Sequence, residues 1–326
     1  MAIDFHAILP ELVLAGTALL VLVVDLFVER AKVVASWLSI AGTIVAGVAL
    51  ASLVGGGTRS TFGGSFVVDN YALLFKGLFL GSLLLVLLMS QRYINAGTAY
   101  QGEFYFLVLS SFVGMLLMPS SRDLLMLFLS LEIVSATGFI AAGFRKGDAR
   151  GNEGALKFLL IGVLSTAVML FGMSLVYGFT GSIQLATIAE RLAQLGDEPA
   201  AVMAVFLVIT GFAFKVSAAP FHFWAPDTYE GSPVPVAAYL SVASKAAGFA
   251  GLLQVTFVAF PSYARYWAPA FAFLAAFTML LGNVIALAQT NMVRLLAYSS
   301  VAQAGYMLVP FAVGSSADPA VREEAF

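Results

Sequence analysis

The chain has 326 residues, of which 61% are apolar or aromatic and only 10% are charged, with a net charge of -2. Ordinary soluble domains run at about 45–50% apolar and about 25% charged, so a water-soluble globular enzyme, a disordered chain and a nucleic-acid binder are all excluded, the last because no basic face is left for phosphate. Cysteine is absent and histidine is limited to His6 and His222, which removes disulfides, thiolate chemistry and a histidine-rich metal centre.

A bilayer-spanning helix needs roughly 20 mostly apolar residues. Runs of that kind are predicted near 7–28, 33–54, 71–90, 103–119, 122–143, 153–178, 200–219, 234–260, 267–289 and 292–313, about ten spans of an all-α polytopic membrane protein. The gaps hold Glu29, Arg30 and Lys32, then Gly55-Gly56-Gly57, then Arg92, then Arg145, Lys146, Asp148 and Arg150. The runs are continuous, unlike the alternating segments of a β-barrel. The first opens on Asp4 and Glu11 with no basic n-region, so it is no cleavable signal peptide. The stretch SIQLATIAERLAQLGDEP reads as an amphipathic helix lying in the interface between two spans. Basic residues after odd-numbered spans (Arg30, Lys32, Arg92, Arg145, Lys146, Arg150, Arg294) outnumber those after even-numbered spans (Arg59, Arg122, Arg191, Arg265, Arg322), which favours an outside N-terminus. After the tenth span, SSADPAVREEAF reads as the lead-in to a further helix, so the sequence is read as a piece of a longer protein.

Ionisable side chains inside these runs are costly and point to function. Glu132 lies about ten residues into its run, about 15 Å deep; its alternative is a protonated acid satisfied by Ser130 or Ser135. Lys245 is at mid-span, too deep to snorkel easily; its alternative is a static partner for a carboxylate. Lys215 precedes Pro220, whose ring clashes with the carbonyl of Val216, so the helix is predicted to break just after Lys215. Broken helices at membrane depth line cavities and ion sites, and an ammonium suits the negative end of a half-helix; a kink with a snorkelling lysine is the alternative. Lys157 follows Glu153 by four residues, the favourable ordering, about one turn into its span, where snorkelling competes. Lys76 shares that ambiguity and is read as interfacial. His222, inside the predicted break, is either a proton relay or a cap on loose backbone groups. Together these residues suit coupled proton transfer through waters. No nucleotide loop is present, since GGGTRSTFGG lacks the required lysine.

At FKVSAAPFHFWAPDTYEGSPVPVAAYL, followed by SKAAGFA, the chain resembles the antiporter-like membrane subunits of respiratory complex I. The wording W-x-P-D-x-Y-x-G-x-P-x-P-V is closest to their subunit N branch in bacterial NADH-quinone oxidoreductase, the counterpart of mitochondrial NADH dehydrogenase subunit 2. LEIVSATGFIAAGF, EGALKFLLIGVLSTAVMLFGMSLVYGFTGS and RLLAYSSVAQAGYMLVP agree in the same order. The resemblance implies 14 helices with an outside N-terminus and two inverted five-helix repeats, each with a broken helix. On that scheme, 1–100 holds helices 1–3, 101–260 the first repeat, and 261–326 the start of the second. Glu132 matches the fifth-helix glutamate, Lys157 the sixth-helix lysine, Lys215 the lysine of the broken seventh helix, and Lys245 the central eighth-helix lysine. A further key lysine, on the twelfth helix, falls beyond Phe326, and Gln303 stands where the family often has a histidine.

The resemblance also implies the activity. It is proton translocation as a subunit of NADH:quinone oxidoreductase, driven by quinone reduction in other subunits. In that picture Lys215 is held protonated or released by Glu132 and passes its proton through water toward Lys245, with Lys157 in support. No cofactor or metal is expected on this chain; FMN, iron–sulfur clusters and quinone belong to partner subunits. The expected partners are a neighbouring antiporter-like subunit, small membrane subunits and the lipid of a bacterial inner membrane. The rival readings are a subunit of a multi-subunit sodium/proton antiporter, a membrane-bound hydrogenase-type complex, and a membrane scaffold whose charges only orient helices.

Overall fold

The computed structural model describes residues 3–27, 31–95 and 101–314. Glu29, Arg30 and the tail from 315, with Arg322, lie outside the described residues, as does the side chain of Lys32. The order of elements is α1 (Leu9–Phe27), α2 (Ala31–Ala51), β1 (Arg59–Thr61), β2 (Phe66–Val68), α3 (Asn70–Asn95), α4 (Gln101–Leu117), α5 (Leu124–Ala142), α6 (Ala149–Thr180), α7 (Leu185–Leu195), α8 (Pro199–Lys215), α9 (Trp224–Gly231), α10 (Val234–Ser241), α11 (Ala243–Leu253), a π-helical turn Gln254–Ala259, α12 (Ala264–Leu287), α13 (Met292–Met307) and α14 (Val309–Val313). Among the described residues, nine helical stretches are long and apolar enough to cross a membrane. The predicted run at 200–219 becomes the shorter apolar helix α8, because it stops at Lys215. The run at 234–260 is interrupted: α10 ends at Ser241, Val242 adopts φ -115 and ψ -72, and α11 restarts at Ala243. The amphipathic helix is present as α7, with Leu185, Ile188 and Leu192 buried on one face.

The helices begin where short polar side chains can take up the free N–H groups of a first turn. Asp69 accepts from Ala72 N at 2.8 Å before α3, Asp123 from Met126 N at 2.7 Å before α5, and Asn291 from Val293 N at 2.8 Å before α13. The small antiparallel hairpin β1–β2, in the gap between the second and third predicted runs, pairs Arg59 with Val68 and Thr61 with Phe66. Its apolar side joins Ala7 and Leu53 in a buried cluster.

By packing, the chain forms two compact units: residues 1–152 with 232–247, and 153–231 with 248–326. In the first, α4 is the central helix, with Phe104, Tyr105, Val108, Leu109, Phe112, Met115 and Leu116 all fully buried. It lies so close to α5 that a Cβ on Gly114 would sit 2.8 Å from the Ser130 carbonyl oxygen. In the second, α12 packs on α13 through Gly282, where a Cβ would meet Ala302 N at 2.8 Å. Small residues at helix contacts are how membrane helices approach closely. The outer faces carry exposed apolar side chains, such as Leu74 at 71%, Leu160 at 61% and Leu287 at 90% exposure.

Replacing Gly114 by Ala should cost about 1–3 kcal/mol by overpacking the α4–α5 contact. A lower midpoint of thermal unfolding in detergent is the expected result, against no change for Gly16→Ala, where a Cβ meets nothing.

Candidate functional site

In the second unit the site is built on the end of α8. The Ser217 N–H donates to the Phe214 carbonyl at 2.9 Å and the Ala218 N–H to the Ala213 carbonyl at 2.9 Å. Ser217 has φ 59. This is a Schellman ending, with serine in the left-handed position that glycine normally fills. It ends the helix at Lys215, where the break is predicted, but through Ser217 rather than through the ring of Pro220 acting on Val216. Pro220 lies in the turn beyond. The Ala219 N–H donates to Thr278 Oγ1 of α12 at 3.0 Å, and the His222 carbonyl accepts from Ala225 N at 3.0 Å as α9 begins.

Lys215 is the last helical residue, 1% exposed, at the negative end of α8. Its stem runs against α11, since a Cβ on Gly248 would sit 3.0 Å from Lys215 Cγ. Lys215 is thus buried, and the snorkelling alternative falls. His222 is 2% exposed, its ring beside those of Phe223 and Tyr298. Trp224 of α9 stacks on Phe158 of α6 at 4.1 Å and meets Phe214 of α8 at 5.5 Å, which holds the restarted helix against both neighbours.

Lys157 sits in a different setting. Because α6 begins at Ala149, four residues before the predicted run, Lys157 lies beyond its second turn. Its Nζ is 2.7 Å from Glu153 Oε1 and 2.6 Å from Asp227 Oδ2. Arg294 Nη1 reaches the other Asp227 oxygen at 2.6 Å and Glu230 Oε2 at 3.0 Å. Asn291 donates to Glu230 at 2.9 Å. The cluster ties α6, α9 and α13 together at their ends. Burial alone would raise the Asp227 carboxyl, but the hydrogen bonds from Lys157 and Arg294 outweigh it and hold the group below the usual carboxylate range. Sequence reasoning gave Asp227 and Glu230 no role and used Arg294 only as a loop charge in the orientation count. The available signal was charge inside two motifs, WAPDTYEG and RLLAYSS, that were quoted only for their resemblance.

In the first unit, Glu132 lies in the third turn of α5. The Ser130 and Ser135 hydroxyls donate to the Met126 and Leu131 carbonyls at 2.7 and 2.8 Å. Lys245 is 5% exposed and lies near the middle of the span Val234–Ala259, in the first turn of α11 just past the interruption at Val242. Lys76 overturns its interfacial reading. It is 0% exposed, with Nζ 2.7 Å from Glu11 Oε1 of α1 and 4.6 Å from the Phe66 ring centroid. The hairpin covers a lysine that sequence distance alone places near the surface. No group of His, Asp and Glu able to hold a metal ion occurs among the described residues.

Residues 121–320 match the family described as NADH:quinone oxidoreductase/Mrp antiporter, transmembrane. NADH-quinone oxidoreductase subunit N of Trichlorobacter lovleyi is 42% identical over 318 residues, covering 96% of this chain and 65% of that protein. NADH-quinone oxidoreductase subunit N 2 of Streptomyces griseus is 46% identical over 328 residues, covering 96% and 61%. A chain of respiratory complex I from Thermus thermophilus with bound aureothin superposes with a TM-score of 0.78 at 34% identity, over 94% of this chain and 65% of that one. The chain therefore spans less than two thirds of the length of these relatives.

Thr278→Val should leave the buried Ala219 N–H unpaired at a cost of about 1–3 kcal/mol, read as a lower unfolding midpoint that Thr278→Ser restores. A carboxyl held low contributes stability above its unfolded pKa and loses it as pH falls through the depressed folded value. The Asp227 cluster should therefore persist through neutral pH. Asp227→Asn should loosen it by about 1 kcal/mol, seen as faster amide exchange over 224–231 at pH 7; the parent should match it only in acid below the carboxylate range.

Proposed function

This chain belongs to the NADH:quinone oxidoreductase/Mrp antiporter transmembrane family, and we propose that it works as a proton-translocating subunit of an NADH:quinone oxidoreductase, of the subunit N type. The observation that carries the reading is Lys215, a fully buried lysine on the last residue of a helix broken within the membrane. An ammonium there is stabilised by the half-helix dipole while being denied bulk water. That is what a site needs if it is to hold a proton in one charge state of its surroundings and release it in another.

The chemistry is charge switching. Glu132 supplies the negative charge that keeps Lys215 protonated; when that charge is withdrawn, the Lys215 proton passes through water to Lys245. Lys157, fixed between Glu153 and Asp227, sets the field at the mouth of the route rather than carrying the proton itself. His222 and Pro220 shape the break. The driving signal is electrostatic and comes from neighbouring membrane subunits, with FMN, iron–sulfur clusters and quinone held in partner chains. The assembly lies in a bacterial inner membrane with the N-terminus of this chain outside. The helices from 101 to 260 form the first of two inverted repeats, and those from 261 open the second.

Glu132→Gln keeps the shape and removes the charge. In native membrane vesicles it should lower the ratio of protons moved to electrons transferred from NADH to quinone. An unchanged ratio at full activity would sink the switch. Proton movement that requires sodium in the same vesicles would instead favour the cation/proton antiporter reading.

A further inference from the structure

The first unit contains a buried charge pair that lies outside the proposed translocation route. Glu11 sits in the first turn of α1 and Lys76 in the second turn of α3. They are 4% and 0% exposed, with Nζ to Oε1 at 2.7 Å. Beyond each other, neither has a hydrogen-bond partner among the described residues; the ammonium's other neighbour is the face of Phe66. Two desolvated charges that satisfy only each other make a costly brace, and apolar side chains of like volume would hold α1 to α3 at least as well. The unused capacity is considerable: an ammonium has three donors and a carboxylate about four acceptor sites.

The pair also stands at one end of a polar seam. Phe66, over the ammonium, bridges Ser121, and Arg122 N donates to Ser65 O at 2.8 Å. Arg122 pairs with Asp69 at 2.6 Å. The 118–120 turn packs against α3 and carries the Ser120 hydroxyl, buried and without a hydrogen-bond partner among the described residues. The Ser121 and Ser130 hydroxyls are 3.4 Å apart, and Ser130 is on α5; each donates to a helix carbonyl, at 2.9 Å to Leu117 and 2.7 Å to Met126, so each offers water in the seam an accepting oxygen. On the outer side, Asp4 and Arg59 form a half-exposed pair at 3.3 Å. Ionisable and hydroxyl groups thus run from the hairpin surface, past a fully buried pair, to the helix that carries Glu132.

We propose that Glu11 and Lys76 form a proton-exchange site that links the hairpin face of the membrane to α5 through water held along Ser120, Ser121 and Ser130. The step is a hop with no redox change: the Lys76 ammonium gives a proton to water in the seam and is recharged by the proton that arrives on Glu11. This rests on the proton-translocation reading above.

Lys76→Arg is the discriminating variant. Arginine keeps the ion pair, and with it any bracing role, but does not deprotonate in proteins. The double variant Glu11→Gln/Lys76→Met removes both charges at similar volume and covers the case in which the larger guanidinium fails to fit. Each is expressed in the full-length chain. Assembly is followed by native gel, and the proton-to-electron ratio is measured in native membrane vesicles beside Glu132→Gln. The expected result is an assembled complex with a lower ratio in whichever variant assembles. A parental ratio in an assembled variant, with Glu132→Gln lowered, makes the pair a brace and overturns this inference alone. A parental ratio in Glu132→Gln as well overturns the translocation reading itself. Loss of assembly in both variants, with the apolar double as unstable as the arginine, would also overturn it, because it makes the pair indispensable to folding.

Discussion

Backbone groups inside a bilayer have no water to fall back on, and each one left unpaired costs several kcal/mol. A helix that stops within the membrane must therefore bring its own replacements. At 216–223 they come from three sources. The Schellman bonds use up the Ala213 and Phe214 carbonyls, Thr278 of α12 takes the Ala219 N–H, and the His222 carbonyl receives the Ala225 N–H in the first turn of the restarted helix. With these in place, Lys215 can sit at the negative end of α8 without competing for the backbone. The charge chemistry is available because the backbone beside it is already satisfied.

The same solvent explains the distribution of side chains. Leucines and phenylalanines occupy both faces, because lipid is no worse a neighbour than a core: Phe104 and Leu109 are fully buried, whereas Phe273 is 68% exposed and Leu280 65%. The glycines at close helix contacts, many hydroxyls and the Glu11–Lys76 pair lie on the inward faces among apolar side chains. Serine and threonine inside helices mostly bond back to carbonyls four residues earlier, as in Ser39, Ser90, Thr180 and Thr256, so their protons are spoken for. Hydroxyls that do not, such as Ser120, stand out against that background.

Much of this was legible in the sequence. Each predicted apolar run is largely helical, although 200–219 stops at Lys215 and 234–260 is interrupted at Val242, because hydropathy over about 20 residues reports on the lipid path but not on breaks within it. The end at Lys215 was readable from Pro220 nearby, although the agent is Ser217, whose left-handed backbone no composition rule announces. The interruption at Val242 has no glycine or proline at the break itself and was missed. So was the hairpin, whose strands of three residues are too short to show a period. The Glu11–Lys76 pair escaped for another reason. Depth along a helix was judged from sequence distance to its end, and nothing local shows that Phe66 folds back as a cover. The Asp227 cluster escaped because its members come from three elements distant in sequence.

The 32-residue helix α6 carries one more consequence. At 1.5 Å per residue it is about 48 Å long, against a hydrocarbon core of about 30 Å. Even when tilted it must emerge from the hydrocarbon, and its N-terminal turns, with Glu153 and Lys157, belong at headgroup level. The ion cluster built there on Asp227 is therefore bathed in counterions and lipid phosphates. Its strength will follow ionic strength and the anionic content of the bilayer, whereas the buried charges deeper in the chain are shielded from both.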